Sequence, residues 1–584
     1  MADYYIDPLV GNDANAGTSP GAGNALASIS GATAKAGTGH RYFLQDAYHV
    51  QTGTGQLTSA SAFTKSDSLW LPYPAASNLP VIDGLKFLAP NDSGWLYVGN
   101  GIWSKNCAVG GTVQEVDRLF IDSRANSQAS NGRTVGYAYI KGFSKDGLNR
   151  NQIWWSEPTE SHRLYVYTGS ATQSPPEYYQ GLAILQRGND ASPLGFRLRN
   201  LNNFRMEYVT LRGLNGLCIG SDSASGGVTT NVELANLTLT HTGYRGIDFV
   251  GAAGLEVIGV TISNLNATDS ASIYEREEVG ETHYGGYELI EIAEYCQNIT
   301  LENFVCNIGH GHGTIALSCV EGASNSNVVV RNGVCTAADW TKDTRGFANR
   351  RSINSKLQNV IFSGFDEASH IEGNGTIMED CIWKNFRRNK QQAGDGYSPI
   401  DLAFTAIDTV DVTIRRTTFD LRGDNDVRAA YKLQVRFPGS GLGVNAIKFY
   451  DNLIFARSGQ GVTLTNVGAG ASININQSVY NNIVVTASLN DAVYNIDGGN
   501  NYDVVTNYGI NAYWQNAGAL GATGNAQHTK ATAYVDDASY RILSALSPLK
   551  GTATFTSNKR DAYGNVLNNP PDKGGIAYRN NPGG

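Results

Sequence analysis

Several short apolar phrases of this chain carry a polar residue at the centre of an alternating pattern. In GIDFV, Ile247 and Phe249 alternate with Asp248, and in LIEIA, Ile290 and Ile292 alternate with Glu291. TIALS places Ala316 in the same slot, SHIEG places His370 and Glu372 around Ile371, PIDLA places Asp401, and KLQVR places Gln434. In a strand, alternate residues face opposite ways. If the apolar members point inward, the polar ones form an outward ladder: Asp248, Glu291, Ala316, Glu372, Asp401, Gln434. Stacked like charges repel, and repulsion raises one carboxyl pKa beside an ionised partner. An acid next to an ionised base or nucleophile is what glycoside hydrolysis needs. Asp248 with Glu291 is therefore the expected catalytic pair, and Glu372 is a candidate third carboxylate.

The bends beside this ladder supply further candidates for holding a substrate. HTGYRG offers His241, Tyr244 and Arg245, NIGHGHG offers His310 and His312, and the basic loop DWTKDTRGFANRR offers Arg350. Asp401 would extend the same row as a substrate contact. Arginine can hold a uronate carboxylate in a bidentate pair. That property suits elimination on an acidic glycan as well as hydrolysis, so both reactions stay open here. The GHGHG spacing lacks identifiable third and fourth ligands, so neither a metal centre nor a cofactor is expected. Outward carboxylates would still suit calcium.

Something regular must position these residues, and a returning strand phrase supplies it. It reads VELAN-LTL from Val232, ITLEN-FVC from Ile299 and VVVRN-GVC from Val328. Looser copies start at Leu357, Tyr450 and Tyr480. Asn236, Asn303, Asn332, Asn359, Asn452 and Asn482 mark the bend, and Gly259, Asp380 and Arg416 fit the same slot. Asn tolerates left-handed backbone and can hydrogen-bond the Asn of the next coil. A constant phrase at a varying period predicts an all-β solenoid whose turns carry loops of different lengths. Asp248 and Glu291 would then sit on neighbouring coils with Cα atoms about 5 Å apart. Long excursions are expected at Ser263 to Tyr287, Thr336 to Arg351, Arg387 to Ser398 and Gly423 to Ala430.

Composition narrows the partners. The 584 residues carry a formal charge of -8 with no Lys/Arg run, which argues against nucleic acid. No apolar stretch reaches membrane length, so no membrane insertion is expected. The 30 Tyr and 8 Trp offer amphipathic rings that suit sugars as well as packing. The seven Cys form no CxxC pair, and buried free thiols are expected. Met1-Ala2-Asp3 leads directly into a strand, with no visible leader.

The opening YYIDPLVGNDANAGTSP from Tyr4 and the closing SPLKGTATFTSNKRDAYGNVLNNPPDKGGIAY from Ser547 resemble the two ends of right-handed parallel β-helix proteins of the pectate-lyase-like superfamily. WWSEPTESHRLYVYT from Trp154 resembles a β-rich insertion found after the first coils in that group. The resemblance implies a right-handed parallel β-helix (β-solenoid) in three parts. Residues 1–195 would hold an N-terminal cap, first coils and the insertion. The first coil would run through HRYFLQDAYHV from His40 and LPVIDG from Leu79. Residues 196–500 would hold the coils with their surface loops, and 501–584 the last coils and a C-terminal cap. Within the superfamily the chain is most like a bacteriophage tailspike depolymerase. That implies a homotrimer on the virion tail that binds and cleaves bacterial surface polysaccharide, O-antigen or capsule. The alternatives are a non-catalytic glycan-binding trimeric fibre and a secreted monomeric polysaccharide lyase.

Overall fold

The computed structural model describes residues 1–542 apart from 36, 50–61, 64, 75, 108–115, 122–136, 139–143, 151–152, 157–162, 187–195, 214–216, 221–226, 243–244, 271–287, 309–312, 319–324, 338–343, 366–368, 387–397, 405–410, 423–429, 436–444, 457–462, 468–473, 481, 487–493, 498–502, 509–511, 515–525, 529–534 and 537–540. The chain folds as an all-β parallel β-helix. It divides into two compact units, one of Met1–Cys296 with Phe304–Gly313 and one of Gln297–Asn303 with Thr314–Gly584.

In the first unit the coils supply strands to three parallel faces. The first face stacks Asp3–Ile6, Arg41–Leu44, Leu69–Pro72, Asn202–Glu207, Thr229–Ala235 and Val257–Ser263 in register. The second stacks Tyr48–His49, Val81–Asp83, Thr210–Arg212, Thr238–Thr240 and Asn266–Ser270. The third stacks Ala62–Phe63, Phe196–Arg199, Leu217–Gly220, Ile247–Val250 and Glu288–Ile292. HRYFLQDAYHV and LPVIDG therefore belong to successive coils, because Arg41 pairs with Leu69 and Tyr48 with Val81. Uneven loop lengths hide such coil boundaries from a reading of strand phrases.

The second unit repeats the plan. Its first face includes Val329–Ala337, Lys356–Ser363, Thr376–Glu379, Asp411–Arg415, Asn445–Tyr450, Asn474–Tyr480 and Asp503–Tyr508. Its third face includes Arg345–Arg350, Ser369–Ile371, Ile400–Phe404, Tyr431–Val435, Thr463–Val467 and Tyr494–Asp497. The closing signature lies outside the described residues.

Period-2 patterning builds the core. Leu198, Ile219, Phe249 and Ile292 share one inward column, and Ile82, Leu211, Leu239 and Ala267 share another. All eight are essentially solvent-free. Aromatic rungs reinforce the stack where Tyr42 lies 4.2 Å from Trp70 and Phe362 lies 4.1 Å from Trp383, ring to ring. Cys107, Cys296, Cys306, Cys335 and Cys381 are buried, and none is in a disulfide.

The bends follow the chemistry of Asn. Tyr208, Asn236 and Asn264 take φ near 55° in the first unit, as do Asn303, Asn332, Asn359, Asp380, Arg416 and Asp451 in the second. Asn332 donates to Asn303 at 3.3 Å, and Asn359 donates to Asn332 at 3.0 Å. Two assignments change. Asn264, not Gly259, turns its coil; Gly259 belongs to a second left-handed column with Asn203 and Asn231. Asp451, not Asn452, takes the bend, while Asn452 turns inward and donates to Asn482 at 3.0 Å. A Gly or an Asp-Asn pair offers two acceptable registers, and only strand pairing separates them.

Between the coils ending at Asp83 and beginning at Phe196 lies the insertion. Two antiparallel sheets form it, one with Lys86–Leu88, Val116–Ile121, Tyr137–Ala138 and Leu182–Gln186. The other has Leu96–Gly99, Ile102–Asn106, Trp154–Ser156 and Arg163–Tyr167. Val116, Leu119, Trp154, Leu164, Val166 and Ile184 pack into their shared core.

Candidate active site

The third face of the first unit carries the carboxylate pair. Ile247 and Phe249 bury themselves in the core, so Asp248 must point away from it. Strand register sets Asp248 directly opposite Glu291, with Ile247 opposite Ile290 and Phe249 opposite Ile292. Just before the strand, Gly246 lets the coils close up, since a Cβ there would come within 2.4 Å of Leu289 Cδ1. Arg245 precedes that glycine and bridges the pair. Its Nη1 lies 2.9 Å from Asp248 Oδ1, and its Nη2 lies 2.5 Å from Glu291 Oε2.

The pair differs from expectation in exposure. Asp248 is 7% exposed and Glu291 8%, rather than standing on an open face. Pointing away from the solenoid core is not the same as reaching solvent. The burial has an electrostatic consequence: it raises the Asp248 pKa, Arg245 opposes the rise, and Glu288 adds to it. The result is a carboxyl biased towards its protonated form, beside a second carboxyl that touches a fixed guanidinium.

His241 follows the second-face strand Thr238–Thr240 with φ 54°. Its Nδ1 is 2.7 Å from Thr240 Oγ1, and its ring meets Phe120 of the insertion edge-on at 5.1 Å. Below Thr240 in the same column, Arg212 pairs with buried Asp83 at 2.5 Å and lies over the Phe87 ring. The insertion thus covers this column of the second face with Leu85, Phe87, Phe120 and Leu185. Gly213 makes the close approach feasible, since a Cβ there would meet Leu85 Cγ at 2.2 Å. Tyr244, His310 and His312 lie outside the described residues.

In the second unit the register changes the expected ladder. His370, not Glu372, stands opposite Asp401, and the Nδ1–Oδ2 distance is 3.4 Å. Both residues of SHIEG share a face, and only pairing decides which one meets Asp401. Glu372 is half-buried one step past the strand, where its backbone N–H donates to Asn349 O at 2.7 Å. Opposite Asp401 on the other side stands Lys432, while Gln434 aligns with Ala403. Arg350 is exposed at the end of strand Arg345–Arg350, which occupies part of the expected loop. Asp401 itself is 5% exposed. Asp248 and Glu291 belong to the first unit; Glu372, Arg350 and Asp401 belong to the second. No group of three or more His, Cys, Asp or Glu placed to hold a metal occurs among the described residues.

Several ionic residues were not anticipated. FRLR places Arg197 and Arg199 on the third face, a period-2 signal that was readable but lacks the Asn bend used to find coils. On the first face of the second unit, Glu379 accepts from Lys356 at 2.6 Å and from Arg415 at 2.6 Å, while Arg416 grips Asp380 at 2.5 Å.

No family model matches the chain, and no curated protein matches it. Solved structures similar to it include XylC in complex with xylose, 10% identical, covering 85% of this chain and 86% of that one with a TM-score of 0.37. GH136 lacto-N-biosidase from Eubacterium ramulus is 11% identical, covering 86% and 68%, with a TM-score of 0.33. The gp54 tailspike of Acinetobacter baumannii bacteriophage AP22, in complex with A. baumannii capsular saccharide, is 9% identical, covering 83% and 74%, with a TM-score of 0.26. Likenesses this distant carry no argument about reaction or substrate.

Proposed function

We propose that the chain is a tailspike-type depolymerase that cleaves bacterial surface polysaccharide internally, by glycosidic hydrolysis. The observation that supports this reading is the in-register pair of Asp248 and Glu291 bridged by Arg245. Adjacent coils are about 4.8 Å apart. Carboxyl groups on such neighbours suit the roughly 5–5.5 Å separation of retaining glycosidases. Asp248, whose pKa is raised by burial, serves as the acid that protonates the leaving glycosidic oxygen. Glu291, in contact with the Arg245 guanidinium, attacks the anomeric carbon. Asp248, now deprotonated, then takes a proton from the water that releases the sugar. Hydrolysis is preferred to elimination because two carboxyls at the reacting centre repel a uronate placed there.

In this reading the protein works as a homotrimer on a virion tail and binds its glycan along the outward faces. The test uses D248N and E291Q, which keep shape and remove the ionisable group. Each should slow chain shortening of purified capsule or O-antigen by roughly a hundredfold or more, with unfolding temperature little changed. The released anomer should be the retained one, and no unsaturated uronate should absorb in the ultraviolet. Cleavage by both variants at the wild-type rate moves the centre elsewhere, and an ultraviolet-absorbing product makes the enzyme a lyase. Binding without cutting by the wild type makes the protein a fibre, and a monomeric mass by light scattering removes the trimer.

A further inference from the structure

The inward column of Ile82, Leu211, Leu239 and Ala267 begins with an ionisable group that the cleavage centre does not use. His49 stands opposite Ile82 and is 3% exposed, so an imidazole heads an otherwise apolar stack. Its Nε2 lies 2.8 Å from the Gln45 carbonyl, which also accepts from the Ala47 N–H at 2.7 Å. A carbonyl can only accept, so Nε2 carries the proton and the ring closes the turn between strands Arg41–Leu44 and Tyr48–His49. Nδ1 then holds a lone pair; it is buried and has no hydrogen-bond partner. Neutral His49 leaves one acceptor unused. Protonated His49 would put a charge and an unsatisfied N–H in the core, which is far more costly.

The groups around the ring decide whether such a charge could be absorbed. Asp7, in the turn after Asp3–Ile6, is 7% exposed and near enough for its charge to favour the imidazolium. Its carboxylate is already engaged, since Oδ1 accepts from the Leu9 N–H at 2.9 Å within the turn that ends at Gly11. Tyr73, just past strand Leu69–Pro72, has a buried hydroxyl whose pKa is raised by burial and then by Asp7, so it stays neutral. On strand Val81–Asp83, Asp83 points the other way and pairs with Arg212. Asp46, beside Gln45, accepts from Ser77 Oγ at 3.1 Å on the exposed side. Burial outweighs the Gln45 carbonyl and Asp7 and lowers His49 to about 4 from an ordinary 6.5. The folded chain thus binds this proton less readily than the opened chain. Stability from the neutral ring is complete above pH 6.5 and is lost as pH falls towards 4.

We propose that His49 is an acid-operated latch on the N-terminal coil. Neutral, it pins the Gln45–His49 turn to the core. Protonated, it leaves for water, that turn detaches, and the Asp7–Gly11 turn loosens as the imidazolium competes for the Asp7 carboxylate. Strand Val81–Asp83 loses its pairing with Tyr48–His49 but keeps its pairing with Thr210–Arg212, so the coils beyond stay folded. Release bares one edge of Val81–Asp83, an unpaired template for another strand. The latch goes beyond the glycan-cleavage reading and does not depend on it.

The test is amide hydrogen exchange of the full chain, read peptide by peptide by mass spectrometry and corrected for the intrinsic pH dependence of exchange. A pKa of about 4 when closed and 6.5 when open makes the open form about 30-fold more populated at pH 5 than at pH 8. Protection of the peptide spanning Arg41–His49 should fall by about that factor, and that of Asp3–Gly11 should fall with it. Protection of Thr229–Ala235 should not change. H49Q keeps a donor for the Gln45 carbonyl and cannot titrate, so its Arg41–His49 peptide should be equally protected at both pH values. Unchanged protection of Arg41–His49 in wild type overturns the proposal, whatever the variant does. Equal loss in wild type and H49Q assigns the effect to another group, and equal loss in every strand makes it global unfolding; either result overturns the latch. Should H49Q fail to fold, NMR titration of the nine histidine rings in wild type decides. A ring with its midpoint near 4 supports the latch, and nine rings titrating near 6.5 overturn it.

Discussion

Arg245 is the residue whose removal most directly probes the pair. Its guanidinium lies 2.9 Å from one carboxyl and 2.5 Å from the other, and its side chain is only 18% exposed. At about 3 Å and an effective dielectric near 20, each contact carries up to roughly 5 kcal/mol of Coulomb attraction, most of it offset by desolvation. The net effect of such a cation on a neighbouring carboxyl is a downward shift of about 1–3 pKa units. Arg245 already opposes the burial that raises Asp248. R245Q removes that opposition and leaves the carboxyls facing each other. The bell-shaped pH–rate profile for polysaccharide shortening should then move to higher pH by about 1–3 units. The rate at neutral pH should change with it, because the fraction of each carboxyl in its working form moves with the profile. R245K restores the charge without the fork and should return the profile part of the way. The assay is initial rate against pH from 4 to 9, with folding checked by thermal unfolding at each pH. A profile for R245Q that overlays wild type, with the rate merely scaled, would refute the claim that Arg245 tunes these carboxyls.

Two further perturbations read the scaffold. Burial alone would raise Glu379, but Lys356, Arg415 and Arg416 hold it at about 2 against an ordinary 4.5. A depressed carboxyl contributes stability that is present above its unfolded value and lost as pH falls from 4.5 towards 2. The shift corresponds to about 3 kcal/mol, trimmed to about 2–3 by solvent screening. E379Q should therefore unfold several degrees lower than wild type at pH 7 in calorimetry, with the gap closing by pH 2; an equal gap at both pH values contradicts the ion-pair origin. Asn332 takes φ 57° and bonds both neighbouring Asn side chains. N332A loses those bonds and adds left-handed strain of about 1–2 kcal/mol, whereas N332G loses only the bonds. Chemical denaturation should rank wild type above N332G above N332A, and equal losses would show that the left-handed backbone is not what selects Asn.

The fold was readable because its signals are local. Alternation shows on one strand at a time, and Asn at a left-handed bend carries its own chemical reason, as Asn236, Asn303 and Asn332 illustrate. The facing of Asp248 and Glu291 was readable for the same reason, since both phrases have two unmistakable inward residues on either side. Register was not legible where a phrase offered two equivalent choices. SHIEG presents His370 and Glu372 on one face, and nothing within five residues says which will meet Asp401. Burial was not legible either. Whether an outward side chain meets water depends on residues distant in sequence, and the insertion packed on Thr240 and His241 shows how far away the cover can originate. The ionic rungs at Arg212–Asp83 and Arg416–Asp380 join residues 129 and 36 positions apart. Each partner alone reads as an ordinary surface charge.

The bend column has a consequence for how the chain finds its own neighbours. A ladder of identical Asn side chains is indifferent to which coil it meets, because every rung offers the same donor and acceptor. Slipping by one coil there forfeits little. Past Asn359 the same column reads Asp380, Arg416, Asp451. Those rungs alternate in sign, so a one-coil slip would set an acid over an Asn or an Arg over the wrong partner in a buried setting. The neutral stretch supplies repeatable adhesion, and the charged stretch acts as a key that fits one alignment. A structure made of near-copies needs such a mark, since its hydrophobic columns alone would accept several nearly equivalent pairings.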